Sequence, residues 1–192
     1  MNDSFVHNDS SVDSQVNVQH NQGTISFGKR TRMSATFERL AQEIRNNTTQ
    51  QVIDDLLMYK TKLDGTKNLE EKLHDGGFSK SFIQNAKWQK EAYAKKATMY
   101  ECYPAAQVIF LNLFARIKND FDVVVYPLIL QGTGISEIMK VIREKIVLPI
   151  MNILNENGEK DQFLYLNMDH IYGMLYYLTG MCHLNWKDYD NV

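Results

Sequence analysis

Few residues in this sequence could carry out catalysis or bind a metal, and their spacing favours neither role. The five histidines are His7, His20, His74, His170 and His183, and no His-Glu-x-x-His pair occurs among them. Cys182 and His183 are adjacent, so their side chains tend to point to different faces, and no second ligand pair completes a zinc site. Cys182 and His183 are equally weak candidates for a nucleophile and its base, because no orienting carboxylate is evident. We therefore predict no catalytic residue, no metal site and no cofactor.

Asp120 and Asp122 are the remaining candidates for catalysis, as part of a small metal-dependent nuclease. Such an enzyme needs two or three carboxylates that converge on magnesium, often with a lysine. The run Asp120-Phe121-Asp122, with a histidine, supplies only part of that set. Acidic residues at a helix end are more often caps or solvated surface. A nuclease is therefore the weaker alternative, and we expect a non-enzymatic protein.

The composition predicts one globular domain in the cytoplasm. A chain of 192 residues that is 44% hydrophobic can bury one substantial core but hardly two. Cys102 and Cys182 match no metal or redox spacing and are expected to be reduced thiols. No signal peptide is recognisable, and the longest apolar runs are too short to cross a membrane. The net charge of −2 gives no global reason to expect nucleic-acid binding.

Apolar residues that recur at helical spacing predict helices along most of the chain. In the last predicted helix, Asn167 or Asp169 is the expected cap and Gly180 the expected left-handed residue at the end. Its buried stripe consists of Ile171, Met174, Leu175 and Leu178. The aromatic end that follows indicates a docked terminus, because termini otherwise fray.

Earlier helix boundaries follow from capping residues and prolines. Thr48 with Gln51 resembles a capping box, and Asn68, Ser79 or Ser81, and Pro104 mark three further starts. Residues 123–130 favour a strand by local preference, but Pro127 and the lack of a partner strand favour a helix broken there. A later helix is expected to kink near Pro149. We predict an all-α, single-domain assembly of about six or seven helices over residues 35–192.

The N-terminal residues 1–34 differ from the rest and are predicted to form a flexible polar tail. Two alternating runs flank a turn-prone Asn-Gln-Gly and predict a β-hairpin over residues 15–28. Its apolar positions are Val16, Val18, Ile25 and Phe27. Because an isolated hairpin is marginal in water, it either stays unpaired or adds to the sheet edge of another chain or a sister subunit. The second alternative would make the tail a route to a homo-oligomer.

Aromatic residues near the C-terminus are the strongest candidates for partner binding. Tyr172, Tyr176 and Tyr177 accompany the apolar stripe of the last helix and cannot all face one core. They are followed by His183 and Trp186. Aromatic side chains supply much of the binding energy at interfaces. The alternative is that these residues pack inside the protein.

Basic residues offer a second kind of partner. Lys29, Arg30 and Arg32 form a short basic linker, and one long helix carries Lys87, Lys90, Lys95 and Lys96 on the face opposite its apolar stripe. A basic face of this kind can contact nucleic acid, although a solvated helix surface is the commoner role. A nucleic-acid-binding accessory protein is therefore the main alternative function.

Several short motifs together resemble one known family. Residues 173–186, GMLYYLTGMCHLNW, resemble the closing signature of the C-terminal domains of ABC three-component conflict systems, the Lamassu-like defence operons. The resemblance extends back to about Val52 through NLEEKL (68–73), KE (90–91), YPLI (126–129) and IVLPI (146–150). Met181 departs from the pattern, since a polar residue such as asparagine is expected there.

The resemblance implies a role in bacterial antiviral or anti-plasmid defence. Such domains are thought to couple an effector to a middle component and an SMC/Rad50-like ABC ATPase. In that family the domain usually follows a large effector, which has no counterpart in this sequence. The expectation is therefore an adaptor that docks the ATPase or the middle component and recruits an effector in trans, with any DNA contact indirect.

Overall fold

The computed structural model describes residues 31–63 and 67–189, and the chain is helical throughout them, with no strand. We number seven helices within these residues and count segments joined by a π-helical turn as one helix. They are α1 (Arg32–Arg45), α2 (Asp54–Lys60), α3 (Leu69–Asp75), α4 (Lys80–Tyr100), α5 (Pro104–Asp120, Phe121–Val125 and Tyr126–Leu130), α6 (Ile135–Ile142, Arg143–Val147 and Leu148–Asn157) and α7 (Met168–Gly180). The all-α prediction is confirmed. The hairpin predicted for residues 15–28 lies outside the described residues.

Four helices begin where local sequence predicts: α5 begins at Pro104, and three others have a side-chain cap. The side chain of Asn68 accepts a hydrogen bond from the Glu71 N–H at 3.1 Å, and Asn167 accepts one from the His170 N–H at 3.1 Å. Ser79 caps α4 in the same way. These bonds satisfy backbone donors that a helix start leaves without an intrahelical partner.

The capping box predicted at Thr48 is wrong, because a distant side chain supplies the hydrogen bonds. Helix α2 begins only at Asp54 and has no side-chain cap. The fully buried amide of Gln107, on α5, accepts a hydrogen bond from the Ile53 N–H at 3.0 Å and donates one to the Gln51 carbonyl at 3.1 Å. This extended segment is therefore fixed by α5 rather than by its own sequence.

The two prolines that lie inside helices, Pro127 and Pro149, each follow a π-helical turn. Pro127 follows the turn Phe121–Val125, and Pro149 follows the turn Arg143–Val147. In each turn a backbone N–H reaches five residues back, and this wider spacing accommodates residues that lack an N–H donor. The break predicted near Pro127 is confirmed in part: the α-helical hydrogen-bond pattern is interrupted just before this proline, but α5 continues through it. The disturbance expected near Pro149 takes the form of the second π turn.

Helix α7 is the central helix of the molecule and packs closely against α4. None of its 13 residues is exposed. A Cβ atom added to Gly173 would lie 2.3 Å from the carbonyl oxygen of Gln89 and 2.7 Å from the Cβ of Tyr93. The Gln89 amide also donates a hydrogen bond to Asp169 at 2.8 Å. The crossing of α4 and α7 therefore requires glycine at position 173.

This contact makes a direct prediction about stability. We expect Gly173→Ala to destabilise the fold by about 3 kcal/mol, at the upper end of the effects of overpacking, because the new methyl group meets backbone. Gly180→Ala is the matched control in the same helix, where the nearest atom is the mobile Nζ of Lys90 at 3.3 Å. Chemical denaturation followed by circular dichroism measures both. Equal stability of the two variants would contradict the close crossing.

Candidate partner-binding site

Trp186, predicted as a partner-binding residue, is a core residue and only 3% exposed. Its indole N–H donates a hydrogen bond to the Thr179 hydroxyl at 3.0 Å, and its ring packs edge-on against Phe78 and Phe121. A Cβ atom added to Gly76 would lie 2.9 Å from the Trp186 Cβ, so α3 ends directly against this residue. The expectation of a docked C-terminal end is confirmed, but Trp186 is not an exposed anchor.

The three tyrosines of α7 also belong to the packed interior. Tyr176 is 1% exposed and contacts Phe82 edge-on, and burial raises the pKa of its hydroxyl well above the usual value. Tyr172 is half-buried and stacks on Tyr176 at 6.4 Å between ring centroids. Tyr177 is half-buried and stacks on Phe114 at 5.7 Å. Tyr176 therefore cannot act as an exposed anchor, while Tyr172 and Tyr177 retain partly open edges.

His183 follows an unusual helix end. The left-handed residue after α7 is Cys182, with φ +65°, whereas Gly180 is still helical, so the predicted role of Gly180 is wrong. The His183 N–H donates to the Leu178 carbonyl at 2.9 Å, as in a Schellman-type helix end. The imidazole packs against Tyr59, and burial is the main cause that lowers its pKa.

A polar cluster fixes the last described residues onto α3. The ammonium group of Lys72 is buried and donates a hydrogen bond to Asn185 at 2.7 Å. Tyr189 donates a hydrogen bond to Asp75 at 3.2 Å, and the Lys67 ammonium group lies 4.6 Å from its ring centroid. A hydrogen bond from Lys67 lowers the pKa of Asp75. These contacts hold the C-terminal end of the described chain against α3.

The lysines of α4 do not form one open basic face. Lys87 and Lys95 are exposed, and Lys87 is paired with Glu70 at 2.9 Å. Lys90 and Lys96 are half-buried and, being six residues apart, lie about 120° apart around the helix. Arg32, expected in a basic linker, is the first residue of α1, while Lys29 and Arg30 lie outside the described residues.

The acidic residues considered for metal binding are paired with cations. Asp120 accepts from Arg116 at 3.5 Å, and Asp122 is paired with Lys118. Among residues 31–63 and 67–189, no three histidine, cysteine, aspartate or glutamate side chains lie close enough together to hold a metal ion. In the same part of the chain, no helix has the length and apolar character needed to span a membrane.

Sequence reasoning missed two exposed features. Trp88 on α4 is 59% exposed, although a tryptophan is usually largely buried. On α1 and α5, Arg32, Arg39 and Arg116 line an open groove between the two helices. The seven-residue spacing of Arg32 and Arg39 was the available signal, because it places both residues on one face of a helix.

Comparison with known proteins identifies the family of the domain. Residues 68–186 match the family model for C-terminal domain 9 of the ABC-three component (ABC-3C) systems. This range begins just before α3 and extends beyond α7 to Trp186, so α1 and α2 precede it. No curated protein and no solved structure matches the chain.

The two tryptophans of the sequence provide a test of the packing. We expect Trp186→Ala to destabilise the fold by about 4 kcal/mol, because it removes a buried ring and leaves a cavity. Trp88→Ala is the control, and we expect an effect within about 0.5 kcal/mol for this exposed residue. Urea denaturation gives both values. In the Trp88→Ala variant, where Trp186 is the single tryptophan, we expect blue-shifted fluorescence that acrylamide quenches poorly. Strong quenching by acrylamide would contradict the burial of Trp186.

Proposed function

The chain belongs to the family of C-terminal domain 9 of the ABC-three component systems, and from that premise we propose that it is a non-enzymatic adaptor of such a system. In this proposal, the chain docks the ABC ATPase or the middle component. An effector is recruited in trans. The family match carries this proposal, because it assigns the chain to a system with other components.

The surface of the domain adds support for a protein partner. Large apolar side chains are exposed on α2, α4 and α5, including Met58 at 65%, Trp88 at 59% and Val123 at 66%. Exposed aromatic and methionine side chains are enriched at protein interfaces relative to other surfaces. Helix α7 contributes little to such a surface, because the core uses nearly all of it. The candidates Val16, Val18, Ile25 and Phe27 remain untested, since they lie outside the described residues.

The adaptor role predicts a complex that does not depend on nucleic acid. We expect the full chain to co-elute with the purified ABC ATPase or middle component of its own system after nuclease treatment. Size-exclusion chromatography with light scattering measures the stoichiometry, and calorimetry measures the Kd.

A charge-reversal variant separates this role from nucleic-acid binding. Lys87→Glu with Lys95→Glu alters two of the three exposed lysines of α4 and should raise the Kd for the protein partner by no more than about tenfold, because exposed charges contribute little and the apolar side chains of Trp88 and Met99 are kept. If the chain bound DNA directly through α4, retention on DNA would fall steeply with salt and would be lost in this variant. Absence of any protein complex, together with such DNA binding, would replace the adaptor role with the nucleic-acid alternative.

A further inference from the structure

A groove of about 1030 Å³ runs between α1 and α5 and reaches the second half of α6. The large apolar side chains of its lining, called the floor here, are buried Leu113 and four half-buried residues, Met33 on α1, Val108 and Leu111 on α5, and Ile153 on α6. Apolar side chains that remain partly open along a groove are suited to the apolar face of another helix.

The walls of this groove are basic. Arg32 and Arg39 line it from α1 and Arg116 from α5, and all three are exposed. Among the described residues, the only acidic one in the lining is Glu38, which is itself paired with Lys160 at 3.3 Å. Three arginines and one glutamate give the lining a formal charge of +2, on a chain with a net charge of −2. The lining therefore carries an excess of positive charge, while Glu43 and Asp120, outside the lining, each contact one of its arginines.

The arginines retain capacity for a further carboxylate. Arg39 contacts Glu43 at 3.3 Å and Arg116 contacts Asp120 at 3.5 Å, in each case through Nε. A guanidinium group has five N–H donors in a planar fork, so one contact through Nε leaves its terminal nitrogens for a bidentate pair. The Arg116–Asp120 pair is partly exposed, and an intrahelical pair of this kind contributes little to stability. In the Arg39–Glu43 pair, the arginine is exposed while the carboxylate is nearly buried.

Two long-range hydrogen bonds fix α1 relative to the other two helices of the groove. The Glu43 carboxylate is 8% exposed and accepts a hydrogen bond from the Ala105 N–H at 2.8 Å, which joins α1 to the start of α5. Thr31 is hydrogen-bonded to Asn157 at the end of α6. Because α1 precedes the family match at residues 68–186, the groove combines one helix outside the matched region with two inside it, α5 and α6.

We propose that the α1–α5 groove binds an acidic amphipathic helix from another component of the same system. The apolar floor would take the apolar face of that helix, and the arginines would pair with its carboxylates. Arg32 and Arg39 are separated by about 10 Å along α1, which matches carboxylates two turns apart on a partner helix. A nucleic-acid backbone would use the arginines but not the apolar floor. This inference rests on the adaptor role and assigns that role a surface.

Two synthetic peptides test the chemistry of the groove without the partner. Both are 14-residue amphipathic helices with the same leucine face, and one carries glutamates where the other carries lysines. By fluorescence anisotropy, we expect the full chain to bind the glutamate peptide at least tenfold more tightly. Binding of both peptides equally, or of neither, would overturn the proposal.

Charge reversal locates the site. Arg39→Glu with Arg116→Glu should abolish the preference for the glutamate peptide, whereas Lys87→Glu with Lys95→Glu makes the same change in net charge on α4 and should preserve it. Arg39→Gln with Arg116→Gln avoids placing new glutamates beside Glu43 and Asp120, so it can be used even if the charge-reversed chain fails to fold. It should weaken binding of the glutamate peptide at least tenfold. An unchanged preference in the glutamine variant would overturn the proposal.

The same variants distinguish the groove proposal from the adaptor role. If the wild-type chain binds its ABC ATPase or middle component, loss of that complex only in the Arg39 and Arg116 variants supports the groove as the docking site. If the complex survives in those variants, the groove proposal fails while the adaptor role stands. If the wild-type chain forms no complex, the adaptor role fails, and with it the proposed origin of the helix. Loss of DNA retention in the arginine variants, without peptide binding, would identify the groove as a phosphate site instead.

Discussion

The close crossing of α4 and α7 is the contact on which the rest of this fold depends. At Gly173 the two helices approach so closely that the space for a side chain is filled by the backbone of Gln89 and the Cβ of Tyr93. Helices separated by ordinary side chains lie about 8–10 Å apart, and a glycine at the contact permits a shorter distance. This approach leaves no residue of α7 exposed and brings α3, α4 and α5 around it.

Buried polar side chains then fix the parts of the chain that helix packing alone would leave loose. Glu43 joins α1 to α5, Gln107 holds the extended segment before α2, and the pair Trp186 and Thr179 folds the C-terminal end back onto α7. Each of these groups is buried and hydrogen-bonded, as the high free energy of an unpaired buried polar group requires. Together they make one continuous core out of helices that are separated in sequence.

This packing determines where a partner can bind. The sequence predicts an interface at the aromatic residues near the C-terminal end, but these residues mainly form part of the core. Tyr176 and Trp186 are almost completely buried. The open features lie on other helices, as the exposed Trp88 of α4 and as the basic groove between α1 and α5. Membership of the ABC-3C family supplies the biological setting, whereas the groove supplies a specific chemistry for recognition.

The sequence by itself determined the helical class, the cap at Asn68 and the family of the domain, and it narrowed two further caps to Ser79 or Ser81 and Asn167 or Asp169. Periodicity, capping and motif similarity are read from neighbouring residues, which is why they could be predicted. The sequence could not determine that Gln107 would replace a cap at Thr48, or that Cys182 rather than Gly180 would adopt the left-handed conformation. It also could not decide that Trp186 would be buried while Trp88 stays exposed, because the two residues differ only in what packs beside them. Only the tertiary structure decided these points, because burial and long-range hydrogen bonds depend on residues far apart in the chain.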